Sequence, residues 1–377
     1  MEQLIRAAVE RGAHTILIKA GDVLRARIDD DLVKLSKTAF TPDETRAIAL
    51  SIIKREDVRE NIDELLDYDC AWSLKDCGRF RVNILRQRSS LMVVLRRIPG
   101  TIPTIDELAL PMVLEDIADV DDGLILVTGA TGSGKSTTQA AMIGWINRNR
   151  RKHIVTLEDP IEYLHKDDQC TITQRDVGSD TKSFSHGLRQ ALRQDPDVIL
   201  IGEMRDPDTI DTAIKAAATG HLVISTLHSP TTVATISRLL AVFSEDERDL
   251  VRMRLGDVLR AVIGQRLVAR KGGSGLVAAI EIMKVTGAVR DNILMSRPVE
   301  RIVELMKEGT EQYGSQTFDQ HLMELVKADV LDYSTARAAA TSPADFELVM
   351  QTLATDDSGH GAAKVDSLLE DEAFRQF

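Results

Sequence analysis

The sequence predicts an α/β chain of two domains, the second built on a mostly parallel sheet. Three observations carry that reading. The 377 residues exceed the roughly 250–300 at which a single hydrophobic core stops growing. From Met112 to about Val285, apolar strand runs alternate with helical segments, the rhythm of βαβ units. Between the two halves lies Ile98-Pro-Gly-Thr-Ile-Pro-Thr104, closed by Leu110-Pro111, the most linker-like stretch of the interior, and proline-stiffened segments transmit motion between domains. The expected division is 1–98, a small α/β domain; 99–111, the linker; 112–285, the parallel-sheet core; 286–354, trailing helices; and 355–377, a disordered acidic tail.

In the first domain the apolar spacing of Glu2 to Arg11 is helical, whereas His14 to Ile18 and Val23 to Ile28 alternate as strands, with Asp29–Asp31 suited to a turn. Thr41-Pro-Asp-Glu44 is a helix start: a threonine N-cap, a proline in the first turn and a glutamate three residues on. That helix should reach about Lys54, with another near Arg59 to Leu66. Asp69 to Leu74, Gly78 to Leu85 and Ser90 to Arg96 return to strand character. The last two are dense in arginine: Arg79, Arg81, Arg86, Arg88, Arg96 and Arg97. Spacing alone leaves two readings open, a solvated charged face or a surface that meets phosphate.

The core opens on an apolar run from Gly123 to Thr128, continues through Gly129-Ala-Thr-Gly-Ser-Gly-Lys135-Ser136, and enters a helical segment from Thr137 to Ile143. This fits the phosphate loop G-x-x-x-x-G-K-[ST] at every required position, in the strand, loop, helix order that its mechanism needs. Glycines (Gly129, Gly132, Gly134) let the backbone curl, and Thr131, Ser133 and Thr137 complete the cradle. Lys135 is expected on the β- and γ-phosphates, with the Ser136 hydroxyl on Mg²⁺. The chain is thus expected to bind a nucleoside triphosphate, ATP, with Mg²⁺.

Further strands are expected at His153 to Glu158, Val198 to Ile201, Leu222 to Thr226 and Leu276 to Ile282. Ligands of such sheets sit at the carboxyl ends of strands. Glu158, Asp159 and Glu162 follow one of these strands and Glu203 closes another, as suits Mg²⁺ binding or the positioning of an attacking water. His221 and His228 bracket the Leu222 to Thr226 run, which suits sensing of the γ-phosphate or a subunit contact. After Val285, helices are expected at Ala288–Ile293, Arg297–Lys307, Thr317–Lys327 and Ser334–Ala340.

Composition narrows the remaining classes. A net charge of -12 and 4% aromatic residues argue against nucleic acid as a partner and against a DNA-translocating motor. No apolar run approaches a membrane span, and the first residues lack a secretion signal, so a cytosolic location is expected. Cys70, Cys77 and Cys170 are too scattered for a disulfide framework or a zinc site.

Taken in order, the phosphate loop, Leu157-Glu-Asp-Pro-Ile-Glu162, Gln174-Arg-Asp-Val-Gly178, Leu192 through Glu203-Met-Arg-Asp206, and Thr219-Gly-His221 through Leu227-His228 resemble the motif series of the secretion ATPases of type II and type IV pilus systems. Gly78-Arg-Phe-Arg81-Val-Asn83 and Leu95-Arg96-Arg-Ile-Pro99 are similar to segments from which that family sends arginines to a nucleotide. The resemblance implies a PAS-like first domain and a RecA-like core. It favours a functional reading of Arg81 and Arg96, with Arg193 and Arg238 after them. Glu203 would then support the Mg²⁺ shell or the attacking water, Glu162 would activate water, and Glu158 and Asp159 would support them from behind.

Within the family the chain is similar to the pilus-retraction motors, the PilT and PilU group. It has Thr15 and Leu17 where that group carries Asp and His, Ala218 in place of a Glu, and a reduced form of the C-terminal signature at Ala288–Met295, departures that point toward the PilU-like accessory branch. The resemblance implies a homo-hexamer at the cytoplasmic face of the inner membrane, a pilus platform protein as partner, and a paralogous retraction ATPase as a second one. The alternative is a nucleotide-binding scaffold subunit with little turnover of its own.

Overall fold

The computed structural model describes residues 1–28, 31–273 and 275–356, so the tail expected over 355–377 lies, from residue 357, outside the described residues. Two compact units make up the chain. One comprises Met1–Ile102 together with Glu158–Lys166 and Gln174–Lys182, and the other Pro103–Leu157, Asp167–Thr173 and the described residues from Ser183.

In the first unit, α1 (Glu2–Glu10), β1 (Thr15–Lys19), β2 (Arg25–Ile28), β3 (Asp31–Lys34), α2 (Pro42–Ile52), α3 (Glu56–Glu60), β4 (Asp67–Leu74), β5 (Gly78–Gln87) and β6 (Ser90–Arg97) follow in order. The six strands form one sheet in the order β3-β2-β1-β6-β5-β4, antiparallel throughout. Strand alternation puts Phe80, Val82 and Ile84 of β5 and Leu91, Val93 and Leu95 of β6 on the core face. Trp72 meets its cross-strand partner Phe80 with ring centroids 5.8 Å apart. At Thr41 the helix start is a capping box: its Oγ1 accepts from Glu44 N at 3.2 Å, and Glu44 Oε2 accepts from Thr41 N at 2.7 Å.

Two expectations in this unit change. Asp31 opens β3 rather than closing a turn. The helix expected over Arg59 to Leu66 ends at Glu60, because Arg86 donates to the carbonyls of Ile62, Asp63 and Leu65 at 3.0, 2.8 and 2.9 Å. A guanidinium from a neighbouring strand satisfies oxygens that a helix would otherwise have used, so Arg86 serves the fold.

The second unit, with the ends of β8 and β9 from Glu158 and Gln174 counted in the first, runs α4 (Val113–Ala118), β7 (Gly123–Gly129), α5 (Lys135–Asn149), β8 (His153–Glu158), β9 (Thr171–Asp176), α6 (Phe184–Ala191), β10 (Val198–Ile201), α7 (Pro207–Ala218), β11 (Leu222–Leu227), α8 (Thr232–Leu240), α9 (Glu245–Val258), β12 (Leu259–Ala269), β13 (Leu276–Lys284), α10 (Gly287–Leu294), α11 (Val299–Glu308), α12 (Thr310–Tyr313), α13 (Phe318–Lys327), α14 (Tyr333–Ala339) and α15 (Pro343–Asp356). The sheet order is β13-β12-β7-β11-β10-β8-β9, with β12, β7, β11, β10 and β8 parallel and β13 antiparallel to β12. The mixed α/β class is as predicted. β7 shows why the sheet is buried on both faces: Leu124 and Leu126 pack into one apolar cluster, Ile125 and Val127 into another.

Strands β9 and β12 and helix α15 were not anticipated, and α15 carries regular structure two residues past the expected end of the trailing helices. The stretch expected as a linker is divided. From Pro103 it belongs to the second unit, where Ile105 and Leu110 are buried beside α4.

Candidate nucleotide site

The parallel strands deliver the ends of β7, β10 and β11 to one edge of the second unit's sheet. From β7 the chain turns at Gly129, crosses Gly132 and Gly134 at φ 79° and 88°, and enters the 15-residue α5 at Lys135. Glycine is required twice here. A Cβ on Gly129 would lie 2.4 Å from the Gln265 main-chain oxygen and 2.5 Å from Ser133 Oγ, and one on Gly134 would lie 2.7 Å from Gln265 Nε2.

Lys135, only 8% exposed, arches back over the loop and donates to the carbonyls of Gly129 and Ala130 at 3.1 and 2.9 Å. Ser133 Oγ is buried without a partner among the described residues. A buried ammonium, an unsatisfied hydroxyl and a helix start whose N-cap is glycine fit a phosphate chain.

Glu203 sits two residues past β10, its Oε2 2.8 Å from Arg205 Nη2 and 3.6 Å from His228 Nε2. The turns that carry these groups are tied to the strands. Thr226 Oγ1 donates to Gly202 O at 2.6 Å, and the buried Thr128 Oγ1 accepts from Ser229 N at 3.0 Å. Burial, and then the Lys135 charge, hold the His228 imidazole below its ordinary pKa, so it is neutral at pH 7. Glu203, Arg205, Thr226 and His228 line a cleft of about 690 Å³ whose walls also include Gly129, Thr131 and Arg238. Ser136 and Thr137, both half-buried, stand in the first turn of α5.

Oxygen donors are what Mg²⁺ prefers, and Ser136 and Glu203 supply a hydroxyl and a carboxylate. No cluster of three or more acidic, histidine or cysteine side chains suited to a metal occurs among the described residues, so any such ion would lean on phosphate and water for most of its shell.

Two other predicted residues of this unit, His221 and Arg193, separate from this cleft. His221 immediately precedes β11 while His228 follows its end; the His221 Nδ1 lies 3.0 Å from Ala216 O, and the His221 carbonyl accepts from Gly123 N at the start of β7. Seven residue steps at about 3.3 Å each put the two histidines about 23 Å apart, so within one chain His221 does not meet the phosphate loop. Arg193 is exposed in the turn after α6 that leads into the amino end of β10, also away from the cleft.

Glu158, Asp159, Glu162, Arg81 and Arg96 belong to the first unit. There Glu158 Oε1 accepts from Gln174 Nε2 at 3.0 Å, Asp159 and Glu162 are exposed, and Arg79 Nη2 lies 3.7 Å from the buried Asp176. Arg81 and Arg96 stand directly opposite one another in the β5–β6 register, both exposed and without an ion pair among the described residues.

Sequence reading missed Arg205 and Gln265. Arg205 was visible as the arginine two residues beyond Glu203. Gln265 carried a subtler signal, an amide within an apolar strand run, where a buried polar group must find a partner.

A glycine loop, a buried lysine over it, and a carboxylate and a neutral histidine in the same cleft define the core of a P-loop nucleotide-binding protein. The model of the family "Type II/IV secretion system protein" matches residues 1–326, and the chain belongs to that family of ATPases. It is 39% identical to the type IV pilus ATPase PilU of Pseudomonas aeruginosa over 100% of this chain and 99% of that one. To the pilus retraction ATPase PilT of the same organism it is also 39% identical, over 91% and 99%. Among solved structures, the pilus retraction motor PilT with bound ADP superimposes with a TM-score of 0.85 at 39% identity, covering 92% of this chain and 98% of that one. The Legionella pneumophila ATPase DotB does so at 0.79 and 26% identity, over 90% and 94%.

Proposed function

We propose that this chain is an ATP-hydrolysing motor subunit that powers retraction of a type IV pilus, in the manner of its PilU and PilT relatives. One observation carries the chemistry: Gly129, Ala130 and Thr131, which open the phosphate loop, share one cleft with Glu203 and His228. End-to-end similarity to PilU supports the accessory, PilU-like placement.

Lys135 and the loop amides hold the phosphates, while Ser136 and Glu203 hold Mg²⁺ directly or through water; the bound ion would neutralise charge on the phosphates. Glu162 activates the attacking water, backed by Glu158 and Asp159. Neutral His228 and Arg238 register the γ-phosphate. Arg81 and Arg96 lend positive charge as the first unit moves during turnover, and His221 and Arg193 serve a neighbouring subunit. The assembly is a homo-hexamer on the cytoplasmic side of the inner membrane, acting on a platform protein of the pilus base and alongside a paralogous retraction ATPase. Among the described residues no helix is long and apolar enough to cross a membrane.

Steady-state phosphate release by wild type, Lys135→Ala and Glu203→Ala tests this: both substitutions should lower kcat by about 10²-fold or more. Particle mass with and without ATP tests the ring. The second reading, a nucleotide-binding scaffold with little turnover, is favoured by the engagement of Glu203 with Arg205 at 2.8 Å. Equal background rates for all three proteins would select it.

A further inference from the structure

We propose that Gln265 is a positioning residue of the phosphate loop, an amide clamp on β12 that holds the glycine curl in its phosphate-binding shape. The inference rests on the nucleotide reading of the cleft. Gln265 is 3% exposed and stands opposite Gly129 in the β12–β7 register. Three contacts converge on it from the loop and the helix that follows. Its main-chain oxygen closes on Gly129, its Nε2 faces the Cα of Gly134, and its Oε1 accepts from Thr138 Oγ1 at 2.8 Å. One residue therefore spans the first and last glycines of the cradle and the first turn of α5, its backbone against Gly129 and its side-chain amide against Gly134 and Thr138.

The neighbours of Gln265 on β12 face the other way. Gly264 packs under Phe318, whose ring would lie 3.1 Å from an added Cβ, and the Arg266 guanidinium lies 3.9 Å over that ring. By strand alternation, β12 thus has α13 on one face and the phosphate loop on the other. An amide suits the loop face because it offers an acceptor to Thr138 and a donor edge to a cradle that receives anions. A carboxylate there would set negative charge beside the phosphates, and an aliphatic side chain would strand the Thr138 hydroxyl.

The test uses the full chain and three measurements: ADP affinity by calorimetry, ATP kcat and KM, and the melting temperature without nucleotide. Gln265→Leu should weaken ADP binding and raise KM by about tenfold while kcat moves by less than about threefold, because an interaction shared by ground and transition states shows in KM. Thr138→Val should reproduce the loss, and the double variant should be no worse than the larger single effect, since both remove one hydrogen bond. Gln265→Glu keeps the acceptor and the shape; it should bind ADP more weakly than Gln265→Leu and covers the case in which the leucine variant fails to fold. Wild-type ADP affinity in both Gln265 variants overturns the assignment, as does a lowered melting temperature with unchanged affinity, which would make the residue a packing element only. Loss of ADP binding in Lys135→Ala with none in the Gln265 variants would sink this proposal alone. No ADP binding by wild type would sink the nucleotide reading itself.

Discussion

Arg81 and Arg96 show how much one pair of side chains can reveal. Two guanidinium groups directly opposite on adjacent antiparallel strands repel, at about 0.2–1 kcal/mol, and neither has an ion pair among the described residues to offset it. A face that merely needed solubility would have been served by an opposite-charge pair. The register therefore favours an anion as the intended occupant, a point invisible in the sequence, where fifteen positions separate the two residues. Arg86, in the same arginine-rich run, has the opposite meaning, since three backbone carbonyls absorb it. Replacing Arg96 with Ala should leave the nucleotide-free chain unchanged or up to about 1 kcal/mol more stable by urea unfolding, while ATP turnover falls by about tenfold or more. A variant that loses stability and keeps its turnover would return the hairpin to a solvated surface.

At the scale of elements, β13 joins a buried carboxyl to the machinery. The side chain of Glu281 is 6% exposed, and its Oε2 accepts from Thr232 N at 2.6 Å, at the start of the helix that carries Arg238 to the cleft. Burial raises its pKa above the ordinary carboxyl value, opposed by the hydrogen bonds from Thr232 and by Arg266, with Asp319 adding to the rise. For a carboxyl raised in the folded state, the stabilising contribution is full below the unfolded pKa and is lost as pH climbs through the folded one. Glu281→Gln should therefore gain stability relative to wild type between pH 5 and pH 8, read by urea unfolding at both. A difference that shrinks over that range would contradict the burial argument. Elements of this kind divide by how they announce themselves. The phosphate loop, the threonine cap of α2 and the apolar runs of β7, β10 and β11 were legible because local spacing specifies them. Strands β9 and β12 were not, since their polar residues, Gln174 and Gln265 among them, are accounted for by distant partners: Glu158 in one case, the phosphate loop and Thr138 in the other. For the same reason the site was legible in its residue types but not in its grouping. A strand with histidines at both ends looks like one cluster along the chain, yet its ends face opposite edges of the sheet.

At the scale of the whole molecule, each compact unit contains a histidine whose pKa burial depresses, and the two respond to acid in the same direction. His321 in the second unit is 6% exposed and its Nδ1 accepts from Ile280 N at 2.9 Å, a bond only the neutral ring can make. Burial pushes its pKa down to about 4, and His165 in the first unit is likewise pushed to about 4. An imidazole depressed in the folded state leaves the unfolded chain binding more protons between the two pKa values. Stability is thus complete above about pH 6.5 and falls as pH drops toward 4, by on the order of 3 kcal/mol per histidine. Glu281 pulls the other way over the acid range, so a chain carrying Glu281→Gln should lose stability more steeply on acidification than wild type. His321→Gln keeps an acceptor for Ile280 N without titrating, and should flatten the decline for the second unit alone. Unfolding followed at pH 7, 6 and 5 by a probe in each unit separates these terms. A second unit that weakens equally in wild type and His321→Gln would show that its acid lability originates elsewhere, whereas selective flattening would locate it beneath β13, on the strand whose partner β12 braces the phosphate loop.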